Sequence, residues 1–375
     1  MARKKHSGGR TTPKGTRPAG WQPKQRHGSS GRPPFVAEAE MCVRERSPLP
    51  LLLMASKMIE AVEAEREPGE EMLDESAVFM SFATSGYPEL AALSLAVAEL
   101  HPDDEFAEAL AALAGPEAAA VRAPWLPTMG EITVTGATLL TEPLGDGEQL
   151  TVSWKWPGGQ PGTMCVFVDH NAGPMLRECF VAPIDIEQVR ADLATPEGDD
   201  LELIDIDLAA AKTRIVEAVM RSEAFDPPLE TETWPIVRPL LEWILGFLPD
   251  GGPGYVRPEW SADDRVALVD EFVASTFGAI EGLTAHQVRA LTTPLVTFGC
   301  DVGSGDPLRV SPVSVEIVLV GWFTTATADD PAIDDELRPR LADVLRAWTR
   351  FAHHRRGIDP RLTDEVLGSI DRWSG

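Results

Sequence analysis

The densest group of reactive side chains in this chain is Asp169-His170-Asn171, flanked by Cys165 on one side and Cys179 on the other. Two thiols near an imidazole could bind a metal or change redox state, because a nearby cation pulls a thiol toward the reactive thiolate. The same residues have a second reading. Asp, Asn and Gly173 suit the tip of a hairpin, where the backbone needs tolerant residues, and cysteine often serves as a small apolar core residue. A loop of His170 to Gly173 pairs Asp169 with Pro174 and brings Cys165 within one position of facing Cys179. No two further ligands sit at zinc spacing. The expectation is therefore two reduced, buried thiols on adjacent strands and no bound metal.

Other motifs are weaker. Gly145-Asp146-Gly147 lacks the third glycine of a dinucleotide loop, and no glycine-rich run ends in Lys-Ser or Lys-Thr. No helix pairs two histidines around a glutamate as the zinc hydrolases do, and the strained-turn serine of the α/β-hydrolases is missing. Gly303-Ser304-Gly305 reads as a loop. In Asp205-Ile206-Asp207 one carboxylate suits a helix cap and the other solvent, and His353-His354-Arg355-Arg356 places cations at a helix end whose dipole favours them. None of these implies a cofactor.

Charge is distributed in two blocks. The first 35 residues carry nine basic side chains and no acidic one, whereas the other 340 carry 24 basic against 59 acidic, a net −35. Arg3, Lys4, Lys5, Arg10, Lys14, Arg17, Lys24, Arg26 and Arg32 are spaced by Gly, Pro and Thr, with Trp21 among them. Spaced cations can neutralise phosphates and an aromatic can stack on an unpaired base. The same segment could equally be a solubilising arm or a partner for the acidic stretch Glu60 to Glu75. Met41 and Met54 are also plausible starts, and either would remove it. An anionic partner is expected on this segment, since a body of the opposite sign repels phosphate at long range.

These side chains need elements to hold them. Residues 1–40 contain no Leu or Ile and cannot bury enough apolar area to offset chain entropy, so they read as a disordered basic tail. Residues 41–125 read as a helical region, with Pro88 and Pro102 each opening a helix. Between 126 and 183 apolar residues alternate: Val152, Trp154 and Trp156 share one face, Thr151, Ser153 and Lys155 the other. With Pro157 to Gly162 as a loop, this predicts an antiparallel meander of three or four strands. Residues 184–375 read as a C-terminal helical region packed on the sheet, with caps at Asp207, Ser261, Thr284 and Ser311. The fold class is α+β, mainly helical. Four scattered cysteines suggest free thiols in a reducing cytoplasm, and no apolar run approaches the ~20 residues of a membrane span.

Leu308-Arg309-Val310-Ser311-Pro312 with Val315-Glu316, then Leu345-Arg346-Ala347-Trp348 leading to Phe351-Ala352, resembles a set of uncharacterised actinobacterial proteins. Asp169-His170-Asn171 with Gly173 belongs to the same pattern. The resemblance implies an α-rich cytoplasmic protein and brings no activity with it. The sequence points first to a non-enzymatic binding protein, whose tail engages nucleic acid or an acidic protein partner. The alternative is an enzyme with a pocket where the 169–173 hairpin meets the C-terminal helices.

Overall fold

The computed structural model describes residues 33–63, 74–193, 201–225, 231 and 233–374. All nine tail cations and Trp21 lie outside them, as does most of the acidic stretch before Glu75. Five helices open the described chain: α1 (Pro34–Arg44), α2 (Leu49–Glu63), α3 (Glu75–Ala83), α4 (Pro88–Leu100) and α5 (Asp104–Ala118). In α4, apolar residues occur on every side, so the helix must be enclosed. It packs against α1, α2, α3 and α5. Pro88 and Glu89 start it, where a missing amide and a negative charge are both favourable.

The expected tail boundary at residue 40 falls inside α1. Val36 and Ala39 are buried and Phe35 lies 5.4 Å from the Phe82 ring. A segment without Leu or Ile could not form a core alone, but four turn-spaced apolar residues are enough to dock one helix on a neighbour's surface.

The middle of the chain is a five-stranded antiparallel sheet in the order β4-β3-β2-β1-β5. Its strands are β1 (Thr133–Thr141), β2 (Gly147–Lys155), β3 (Pro161–Asp169), β4 (Met175–Ala182) and β5 (Glu202–Asp205). The expectation of three or four strands misses β5, whose four residues are too few to show alternation. The loop expected to run through Gly162 also ends earlier, because Pro161 pairs with Lys155 and Gly162 with Trp154. Gly162 is required by packing: a Cβ there would lie 2.4 Å from the Trp154 indole.

The apolar face of the sheet, with Leu150, Val152, Trp154, Val166 and Val168, joins the N-terminal helices in one core. Helix α7 (Leu208–Glu223) packs across β4, β1 and β2, and α8 (Arg238–Gly246) closes against α2 and α4. Helix α6 (Ile186–Leu193) lies by β1.

A second core begins near Trp260. It comprises α9 (Ala262–Ala274), α10 (Ala285–Thr297), α11 (Pro312–Ile317), α12 (Phe323–Ala326), α13 (Leu341–Arg356) and α14 (Pro360–Trp373). The expected single region of 184–375 is thus shared between two cores, with 184–248 contributing to the first. The reciprocal caps at Ser261–Asp264 and Thr284–Gln287 are both formed. At Ser311 the cap also prevails over the β-branched run that follows: its Oγ accepts from Ser314 N at 3.1 Å. Two π-helical stretches, Phe298–Val302 and Val318–Trp322, widen the helices there.

Gly162→Ala should lower stability by about 1–3 kcal/mol, since the added methyl group overpacks a closed site. Urea unfolding followed by tryptophan fluorescence measures it, and an unchanged midpoint would contradict the packing described.

Candidate functional site

In β2, Glu148 is in phase with Leu150, Val152 and Trp154, so strand alternation places a carboxylate on the apolar face. Its side chain is 8% exposed. Three groups from three elements converge on it. Tyr255, in the connection after α8, donates its hydroxyl to Oε1 at 2.5 Å. His170 Nε2, from the β3–β4 hairpin, lies 3.3 Å from Oε2, and Arg214 Nη1 of α7 lies 3.6 Å from the same oxygen.

Helix α7 organises this arrangement through residues three and four apart on one face. Arg214 sits over the Tyr255 ring, 5.3 Å from its centroid. Glu217 accepts from the Tyr255 backbone N–H at 2.7 Å. Arg221 donates to Ala172 O at 3.1 Å and holds the hairpin tip. Gly173 has φ +94°, and a Cβ there would fall 2.5 Å from the Arg221 guanidinium.

Burial pushes the Glu148 carboxyl up, but the His170 and Tyr255 hydrogen bonds and the charges of His170 and Arg214 outweigh it and leave the pKa below its ordinary value. Burial and the adjacent carboxylate drive the Tyr255 phenol far above its ordinary range. Tyr255 therefore acts here as a hydrogen-bond donor and holds its proton near neutrality. The geometry can orient one imidazole against a carboxylate, the first half of a general-base arrangement.

A second polar cluster adjoins the first. Asp169 Oδ1 accepts from Asn171 N at 2.7 Å, and the Asp146 carbonyl accepts from His170 N at 2.9 Å. Asn171 Oδ1 receives Arg309 Nη2 at 2.8 Å. Arg309 also donates to Gly145 O and approaches Asp146 Oδ1 at 3.5 Å. Burial raises the Asp146 carboxyl to about 6, with Ser311 and Arg309 opposing the rise and Glu142 and Asp169 adding to it.

Of the expected site residues, Asp169, His170 and Asn171 do come together, at the point where the hairpin meets the C-terminal core. As expected, the two thiols are free and buried on adjacent strands, within one position of facing each other. Asp169 faces Met175 rather than Pro174, and a register shift beyond Phe167 leaves Cys165 opposite Phe180 and Cys179 opposite Val166. Paired residues share a face and successive ones alternate, so the two thiols point to opposite sides of the sheet. Burial raises Cys165 to about 11 and Cys179 well above its ordinary value. Among the described residues no group of three or more His, Cys, Asp or Glu is placed to hold a metal ion.

Sequence reasoning passed over Asp146, Glu148, Arg214 and Tyr255 as site residues. The phase of Glu148 was a usable signal; Arg214 and Tyr255 carry none, since only tertiary packing brings them near. No family model, curated protein or solved structure matches the chain, so these roles rest on geometry alone.

Glu148→Ala should cost about 3–5 kcal/mol, because it leaves Arg214, His170 and Tyr255 without their shared acceptor; chemical denaturation measures it. The depressed carboxyl contributes stability above its ordinary 4.5 that is lost as pH falls through the lower folded value, so the advantage of the wild type over Glu148→Ala should shrink in that acid range. Cys165 and Cys179 should resist iodoacetamide in the folded protein at pH 8 and react in urea, as peptide mass mapping would record.

Proposed function

We propose that this chain is a non-enzymatic binding protein whose basic N-terminal segment engages an anionic partner, with nucleic acid the partner tested first. One observation carries the reading: nine cations and no acid in the first 35 residues, set against a net −35 on the remainder. A body of that sign repels phosphate, so contact falls to the segment of opposite sign. Trp21 adds a face on which an unpaired base can stack. No helix among the described residues is long and apolar enough to cross a membrane.

The second reading is an enzyme with its pocket between the 169–173 hairpin and the C-terminal helices. His170 against Glu148 and the Arg309 contacts of the hairpin favour it. The cavity beside Arg309 lies on the second core's side, lined also by Phe298, Val315 and Trp348 and by no hairpin residue, and at about 20 Å³ it has room for one water.

The test is a salt titration of a labelled single strand with the full chain and with a chain beginning at Pro33, which keeps α1 whole. The full chain should bind with a log–log salt slope of about 0.7 per phosphate contacted, and the shortened chain should not bind. Equal binding by both would place the site on the body. Absence of binding by either at low salt would remove nucleic acid as the partner.

A further inference from the structure

Helix α13 carries a row of charge along one face. Arg340 at its N-terminal boundary, Asp343, Arg346 and Arg350 recur at spacings that stack them over consecutive turns. Arginines near the C-terminal end suit the helix dipole, but one at the N-terminal boundary does not, so the dipole does not account for the row.

The loop between α9 and α10 runs beside this face in the opposite direction. Phe277 stands at one end, its ring 6.2 Å from Phe351 and 5.7 Å from His354. At the other end the Glu281 carbonyl accepts from Arg340 Nη2 at 2.8 Å. The loop is firmly held. Ser275 Oγ accepts from the Phe277 and Gly278 amides at 3.2 and 3.3 Å, and a Cβ on buried Gly278 would fall 2.4 Å from Phe272 O. Between loop and helix lies an open groove of about 580 Å³, with Phe277, Ala279 and Ile280 on the loop side and Ala347 on the helix side. Small-molecule sites usually offer roughly 300–1,000 Å³.

The guanidinium groups of the row are not equivalent. Arg340 Nε and Arg346 Nη1 hold the two oxygens of Asp343, at 2.7 and 3.2 Å, and Arg346 Nη2 also holds Asp371 at 2.7 Å. The charges of these two are answered from within the chain. Arg350 is exposed, and its guanidinium has no acceptor among the described residues. It lies one turn before His354 and so belongs to the Phe277 end of the groove. Its place on the helix axis is about 15 Å from that of Arg340, which sets it apart from the Glu281 end.

We propose that this groove binds a small organic monoanion: a carboxylate on an apolar body, with the carboxylate on Arg350 and the body along Phe277, Ile280 and Ala347. A guanidinium presents a planar fork of N–H donors that meets a carboxylate in two parallel bonds. One unanswered cation calls for one negative charge. The net −35 of the chain beyond residue 35 repels a dianion more strongly than a monoanion, which favours a carboxylate over a phosphate ester. A neutral apolar compound would gain the wall and leave Arg350 without a partner. The site lies on the second core and makes no demand on the basic N-terminal segment.

The probes are naphthoate, its neutral counterpart naphthalenemethanol and the dianion naphthyl phosphate. Each is titrated into the full chain in mildly acidic buffer and followed by calorimetry and by nitrogen-15 spectra of the arginine side chains. Naphthoate should saturate one site at millimolar concentration or below and shift the Arg350 Nε–H resonance, which is assigned by its loss in Arg350→Gln. The alcohol and the phosphate ester should each bind at least about 10-fold more weakly. Arg350→Gln changes an exposed side chain with no acceptor to lose, so the thermal midpoint should stay in place while affinity for naphthoate falls about 10-fold or more. Failure of naphthoate to saturate, equal affinity in Arg350→Gln, or binding of the alcohol or the phosphate ester as tight as that of naphthoate would each overturn the proposal.

Discussion

One buried carboxylate sets the terms for the middle of this protein. Glu148 lies on the apolar face of β2 beside Leu150 and opposite Val168, where an unpaired charge would cost several kcal/mol. Its three partners come from a hairpin tip, from α7 and from an irregular connection. Satisfying one side chain therefore ties together the hairpin, α7 and the chain after α8. Tyr255 would otherwise sit in a connection without regular structure; the Glu148 and Glu217 contacts hold both its ring and its backbone.

The same hairpin carries the joint to the second core. Asn171 is 8% exposed and is bonded on both sides, to the Asp146 carbonyl and to Arg309. The charged groups around Glu148 and those around Arg309 are thus adjacent parts of one polar layer between two apolar cores. Buried networks of this kind contribute little net stability over an apolar replacement, and they penalise any arrangement that leaves a member unpaired. Such a layer defines how the cores meet more than how firmly they are held.

Local rules were enough for much of the fold. The helix starts at Pro88, Asp207, Ser261, Thr284 and Ser311 follow from side-chain acceptors and proline geometry, which act within three or four residues. The alternation through Val152 and Trp154 identified the sheet for the same reason. Features that depend on distant partners were hidden. Helix α1 forms because α4 and Phe82 offer a surface to Phe35 and Val36, and β5 exists because β1 has a free edge. The Cys165–Cys179 neighbourhood was legible to within one position, yet that one position separates the faces of a sheet.

The sequence by itself determined the α+β class, the mid-chain antiparallel meander and the segregation of positive charge into the first 35 residues, all consequences of composition and short-range periodicity. It also placed Asp169, His170 and Asn171 together, because they are consecutive. Tertiary structure alone decided that Glu148 faces His170, Arg214 and Tyr255, and that Arg309 reaches Asp146 and Asn171. These contacts span between 22 and 163 positions of chain, and no local propensity encodes them; they arise only when burial leaves a charge that must find its partners.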